Sequence, residues 1–244
     1  MKKLTGYLTP KLPDCAFTID LANAMFDAGM DALELGVPFS DPVADGATIE
    51  KASHQALKNG FVFSDLAAIS AALKGRDLIW MGYANPFFRR GMEKTAREAK
   101  ALGVSALIIP DLPYEEARTY RAIFETNKID LIEFVAPTTP KERVAVILQN
   151  AKKFIYLVAY TGVTGAAQNE DLQETLAAIK AVSQTPVFVG FGVNRDTAKA
   201  RVKGANGVIA GSCFIKILLD ETLSKSEKIK RARDETTAIK EAIN

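Results

Sequence analysis

The chain has 244 residues, 31 Lys and Arg against 29 Asp and Glu, one histidine and two cysteines. Net charge is +2 with acids and bases interspersed, which leaves no electrostatic footprint for nucleic acid, and no apolar run reaches the ~18 residues of a membrane span. Cys15 and Cys213 form no metal-spaced pair, so disulfide and zinc frameworks are disfavoured.

Eight short apolar or β-branched runs follow one another at 4–9, 32–36, 78–84, 106–110, 131–137, 154–160, 186–192 and 207–212. Their starts lie about 20–45 residues apart, the spacing of βα units joined by short loops. Amphipathic patterns fill the intervals. Helices are predicted at 17–28 and 48–58, with His54 as an exposed residue of the second. Ser64 is placed to cap a helix beginning near 64. Pro140 opens another helix near its first turn, where proline is tolerated. The first run is preceded only by Met1-Lys2-Lys3, so little or no helix is expected before strand 1, and no apolar signal core is expected there. Without a linker or composition shift, residues 1–244 are expected to form a single (β/α)₈ barrel domain. A doubly wound sheet would need a Gly-rich turn after its first strand, and Thr9-Pro10-Lys11-Leu12-Pro13-Asp14 contains no glycine. A cytoplasmic location is expected.

The second run carries the most chemical information. In Ala32-Leu33-Glu34-Leu35-Gly36, Glu34 shares a face with Ala32, opposite Leu33 and Leu35. Helices on both sides should cover this strand. A carboxylate on a covered face costs several kcal/mol, roughly, unless it is solvated, paired or used. The loop that follows, Val37-Pro38-Phe39-Ser40-Asp41-Pro42-Val43-Ala44-Asp45-Gly46, brings a second acid, Asp45. An acid at a strand end beside one on the next loop makes a plausible two-carboxylate site. Asp41 and Asp45 have no His or Cys nearby, so no metal site is expected. With one mid-helix histidine, Ser-His-Asp and HExxH chemistry are disfavoured.

In a barrel the site lies at the C-terminal ends of the strands. Gly162-Val163-Thr164-Gly165, Gly190-Phe191-Gly192 and Ala210-Gly211-Ser212 all fall there. The last two follow strands 7 and 8, where glycines let backbone N–H groups approach an anion and a helix N-terminus adds a favourable dipole. The alternative is that they only allow tight turns. Tyr156 is expected to face the barrel interior, as a site residue or as core. Phe191, Tyr7 and Met81 are expected either to line an apolar pocket or to fill the core. Cys213 is expected to be an inert packing residue, and Lys216 a surface lysine. These residues point to a phosphorylated substrate with an apolar or aromatic end. Lyase, isomerase and epimerase chemistry all remain open.

At Leu33 to Gly46, Tyr156 to Gly165 and Gly190-Phe191-Gly192, the chain closely resembles the tryptophan synthase alpha subunit family, in register from about Gly6 to Ser212. The resemblance implies a (β/α)₈ barrel that cleaves indole-3-glycerol phosphate to indole and glyceraldehyde 3-phosphate. It also implies a beta subunit as partner in an alpha2beta2 assembly, with pyridoxal phosphate in that partner and no cofactor in this chain. By the same resemblance, Glu34 is the catalytic glutamate, Asp45 the catalytic aspartate and Tyr156 the active-site tyrosine. Gly165, Gly192, Gly211 and Ser212 hold phosphate, Thr164 bonds the aspartate on closure, and Phe191 and Tyr7 surround the indole.

The chain departs from the family pattern in three places. Almost nothing precedes strand 1. Pro10-Lys11-Leu12-Pro13 replaces a glycine-containing turn, and Leu157-Val158-Ala159-Tyr160-Thr161 lacks a Ser-Arg pair before Gly-Val-Thr-Gly. Two other readings stand beside the lyase. One is a regulatory alpha-like subunit of low intrinsic activity that activates a beta partner; the other is a phosphate-binding isomerase or epimerase barrel.

Overall fold

The computed structural model describes residues 1–159 and 169–244, without the side chains of 169–171. Among the described residues, nine parallel strand segments follow one another: β1 Lys3–Leu8, β2 Ala32–Gly36, β3 Leu78–Met81, β4 Val104–Ile108, β5 Asp130–Leu131, β6 Glu133–Val135, β7 Ile155–Val158, β8 Val187–Gly190 and β9 Gly207–Ala210. The helices are α1 Cys15–Asp27, α2 Ala47–Lys58, α3 Phe63–Ala72, α4 Ala84–Arg90, α5 Met92–Ala101, α6 Tyr114–Thr126, α7 Lys141–Ile147, α8 Asn169–Val182, α9 Ala198–Arg201, α10 Ser212–Leu219 and α11 Lys225–Ile243. All eight expected strands are found, with β1 beginning at Lys3.

The sheet runs β5-β4-β3-β2-β1-β9-β8-β7-β6. Its two ends are consecutive pieces of chain, because the fifth expected strand is broken at Ile132. β5 pairs with β4, and β6 pairs with β7. The Ile132 N–H still reaches the Leu107 carbonyl at 3.0 Å. The nearly closed barrel is therefore completed through the covalent chain. Broken pairing at this one seam is the price of joining β4 to β7 with so few residues.

Alternation decides what fills the barrel. Leu33 and Leu35 are fully buried against the helix layer. Trp80 also turns outward, where its indole N–H donates to the Ser70 hydroxyl on α3 at 3.0 Å. The opposite parity points inward. It places stacked pairs Phe154–Phe188, with centroids 4.6 Å apart, and Phe134–Tyr156, 4.9 Å apart. Rings this close bury large apolar area with favourable offset geometry.

Helix ends follow local chemistry with one exception to expectation. Asp14 caps α1 by accepting the Phe17 N–H at 2.8 Å, and Ser224 with Glu227 forms a capping box on α11. Pro140 immediately precedes α7, as expected. Ser64 is not a cap: it lies inside α3, whose cap position is Val62. Asp65 serves instead, taking the Val62 N–H at 2.9 Å while also binding the Lys11 ammonium at 2.9 Å. The carboxylate wins because it both satisfies an orphan N–H and pairs a charge. Among the described residues, no helix is long and apolar enough to cross a membrane.

Two glycines set the shape of the barrel mouth. A methyl group on Gly36 would lie 2.0 Å from the Tyr7 hydroxyl oxygen, and one on Gly190 would lie 2.3 Å from that of Tyr156. Each tyrosine ring therefore lies across a strand that can have no side chain at that point. Gly36→Ala is expected to destabilise the fold by about 1–3 kcal/mol, the range for overpacking a filled interior. Urea denaturation of the variant against the parent measures it.

Candidate active site

The mouth of the barrel is assembled from strand ends. Glu34 on β2 stands beside Tyr7 on β1 in the parallel register. It is buried, at 3% exposure, and among the described residues its Oε1 has no hydrogen-bond partner. Burial pushes its carboxyl up to about 8, and the nearby Asp45 charge pushes in the same direction. A group in this state is protonated at neutral pH and has a vacant oxygen facing the interior. That is the condition expected of a general acid.

Asp45 sits on the loop between β2 and α2, one residue before the α2 cap Gly46. The Tyr83 hydroxyl donates to its Oδ2 at 2.9 Å, and the same hydroxyl accepts the Ala44 N–H at 2.9 Å. Burial raises the Asp45 carboxyl to about 6, the Tyr83 bond opposes the rise, and Glu50 adds to it. Asp45 is therefore mainly ionised at neutral pH while Glu34 is mainly protonated. Tyr83 is itself held well above the ordinary phenol range by burial and by Asp45, so it keeps its proton and remains a donor.

The loop is tied down at its other end. Ser53 on α2 accepts the Phe39 N–H at 2.8 Å and donates to the Phe39 carbonyl at 2.9 Å. Phe39 also stacks on Tyr83 at 5.5 Å. His54, expected to be exposed, is half-buried instead, and its Nε2 donates to the Ser40 carbonyl at 2.9 Å. The sequence reading missed this because the loop folds back over a helix face that looks solvated in the local pattern.

Tyr156 is inward and buried, as expected. Burial first, and then the acidic neighbours Glu34, Asp45 and Tyr7, raise its hydroxyl well above the usual phenol range, so it keeps its proton. Phe191 meets its ring edge-on at 6.3 Å. Tyr7, also buried, feels burial first and then Asp45. Met81 is buried at the end of β3. Tyr7 and Tyr156 both lie close enough to Glu34 and Asp45 to feel the two acids.

The glycine loops lie at the same end. Phe191 and Gly192 have φ of 71° and 69°, and Gly211 caps α10, in which Ser212 is the first residue. The first amides of a helix lack intrahelical partners and favour an anion. Cys213, next along, has its thiol pushed up to about 12, by burial first. It is a poor nucleophile at neutral pH, consistent with a packing role. Lys216 is exposed. Thr164 and Gly165 lie outside the described residues. Among the described residues, no group of three or more His, Cys, Asp or Glu is placed to hold a metal ion. Tyr83 was missed by the sequence reading, although its position just past β3 marks the catalytic end of a barrel strand.

The match to known proteins covers the whole chain. The family model described as tryptophan synthase alpha chain matches residues 1–244. The tryptophan synthase alpha chain of Wolinella succinogenes is 48% identical over 246 residues, spanning 100% of this chain and 96% of that relative. The solved tryptophan synthase subunit alpha of Legionella pneumophila superposes with a TM-score of 0.90 at 30% identity, covering 99% of this chain and 92% of that one. An aminoacrylate-bound tryptophan synthase from M. tuberculosis gives 0.88 at 33% identity, covering 100% and 94%.

The raised carboxyl of Glu34 has a linked effect on stability. Its folded-state value lies above its unfolded one, so the folded state holds the proton more tightly. Its contribution is present below about pH 4.5 and is lost as pH rises through about 8. Unfolding free energy from urea titrations at pH 5 and pH 8 should fall less in Glu34→Gln than in the parent, by on the order of a few kcal/mol.

Proposed function

The chain belongs to the tryptophan synthase alpha chain family, and from that premise we propose that Glu34 and Asp45 are the acid pair that performs its chemistry. The reaction is the lyase step of tryptophan biosynthesis, cleavage of indole-3-glycerol phosphate. Breaking the C3–C3′ bond requires a proton delivered to indole C3 and one removed from the C3′ hydroxyl. Protonated Glu34 gives its proton to C3. The resulting carboxylate then takes the hydroxyl proton as the carbon–carbon bond breaks and the C3′ carbonyl forms. The electron pair of that bond returns to the ring, and Glu34 ends as it began. A carboxyl titrating near 8 is suited to both halves.

Asp45 accepts the indole N–H and stabilises the positive charge that grows on the ring as C3 is protonated. Tyr83 keeps the Asp45 carboxylate oriented through its 2.9 Å bond. Tyr7, Tyr156 and Phe191 flank the indole. The phosphate rests on backbone amides at Gly192, Gly211 and Ser212, and Gly165 and Thr164 complete the site by family resemblance. The observation that carries this assignment is the buried Glu34 carboxyl with an unpartnered oxygen at the barrel mouth.

We assign no cofactor to this chain. Pyridoxal phosphate belongs to the beta partner, which takes the indole in an alpha2beta2 assembly in the cytoplasm. The solved relatives that carry the name of the whole synthase support this partnership.

Glu34→Gln keeps the shape and removes the titrating group. Indole release should fall by about 10²–10⁴-fold while the substrate dissociation constant stays near that of the parent; indole formation near the parental rate would overturn the assignment. Asp45→Asn should lose less, because an amide oxygen still accepts the indole N–H. Co-purification with the beta subunit, and turnover with and without it, test the partnership.

A further inference from the structure

The loop after β8 is an unusual piece of backbone. Phe191 and Gly192 are consecutive left-handed residues, and Phe191 is not a glycine. A side-chain-bearing residue stays in that region only where its surroundings hold it. Past Val193 the amides are accounted for one by one. Asn194 N–H donates to the Thr197 hydroxyl at 3.0 Å, and the N–H groups of Asp196 and Thr197 donate to the Asn194 side-chain oxygen at 2.9 and 3.1 Å. The Thr197 hydroxyl donates to the Gly192 carbonyl at 2.6 Å. These bonds are local, and none ties the loop to the rest of the protein.

One contact does. Glu235, on α11 and 6% exposed, accepts the Arg195 N–H on Oε1 at 3.0 Å and the Arg195 Nε–H on Oε2. One carboxylate grips the main chain and the side chain of the same residue. That fixes the direction of a peptide plane, which a charge pair alone would not do. Glu235 also lies near the first turn of α10, where its charge raises the Cys213 thiol after burial. It therefore stands behind both arms of the glycine cradle, the loop at Gly192 and the helix start at Gly211.

We propose that Glu235 is a positioning residue for the phosphate cradle, acting through Arg195. This rests on the reading of Gly192, Gly211 and Ser212 as phosphate contacts. By holding the Arg195 amide, Glu235 sets the course of the chain that carries the Gly192 and Val193 peptides. Among the described residues, neither of those two N–H groups has a hydrogen-bond partner. The Arg195 guanidinium cancels the Glu235 charge, which would otherwise oppose an anion bound close by.

The test is steady-state indole formation, with inorganic phosphate as competing ligand, in the parent, Glu235→Gln, Arg195→Ala and Arg195→Lys. In Glu235→Gln, KM for indole-3-glycerol phosphate and the phosphate inhibition constant should rise together by about fivefold or more, with kcat within about twofold. Both Arg195 variants keep the main-chain bond; Arg195→Lys also keeps a cation and should stay near the parent, whereas Arg195→Ala leaves the Glu235 charge uncancelled beside the bound anion and should move the same way as Glu235→Gln. If Glu235→Gln does not fold, Arg195→Ala carries the measurement, since that side chain is about half exposed. Unchanged KM and phosphate inhibition in both variants, in a parent that phosphate does inhibit, would overturn the positioning role alone. A parent that phosphate does not inhibit, and that cleaves the dephosphorylated substrate equally well, would remove the phosphate reading and the proposal with it.

Discussion

A carboxyl group buried at the centre of a barrel mouth, with one oxygen unmatched, sets the terms for everything around it. Burial of an ionised carboxylate without partners is expensive, and the protein avoids the charge by keeping Glu34 protonated near neutrality. That solution requires dry, close walls. Tyr7 and Tyr156 supply them, and both can lie where they do only because Gly36 and Gly190 lack side chains. The strand ends therefore carry a composition that stability alone would not select: two glycines, two buried phenols and an acid within a few ångströms of the main chain.

The loop after β2 answers a different demand. Asp45 must be ionised, so it sits where a hydroxyl and a main-chain turn can support its charge. Tyr83 links the two requirements by donating to Asp45 and accepting from Ala44, which fixes the loop at its acid. Ser53, His54 and the Phe39–Tyr83 stack fix it at its start. Because these contacts come from β3 and α2, the geometry of the second acid depends on the packing of two further elements. The placement of Glu34, by contrast, is set by β2 and the strand paired beside it.

The same distinction explains what could be read in the sequence. Glu34 was visible because strand alternation is local: a carboxylate between Leu33 and Leu35, followed by a glycine and a proline-rich loop, already implies an acid on the inner face. The eight runs were visible because each strand must be apolar on both sides. Other features were not visible, and three of them depend on contacts made across long stretches of chain. The fifth strand reads as one run, and its break at Ile132 follows from closing the barrel between β4 and β7. Ser64 has the right chemistry for a cap, yet Asp65 takes that role because Lys11, far away in sequence, also needs a partner. Glu235 stands among the alternating charges of residues 225–235, where nothing local marks it as buried, and only the docking of α11 against the loop after β8 buries it.

Two carboxyl groups of similar intrinsic acidity thus reach opposite protonation states at one pH, and the cause is what each can find to bond. Asp45 has a phenol donating to it and a turn that leaves it partly open, which holds its rise to about 6. Among the described residues Glu34 has no donor for its Oε1, and the Asp45 charge adds to its burial. The negative loop acid therefore helps keep the strand acid protonated. Moving the loop away would do two things together: it would remove the group proposed to hold the indole nitrogen, and it would lower the pull that keeps the proton on Glu34. On the proposed roles, loop position then controls both halves of the chemistry through a single charge, so an open loop would leave the barrel with a weaker proton holder as well as an incomplete pocket.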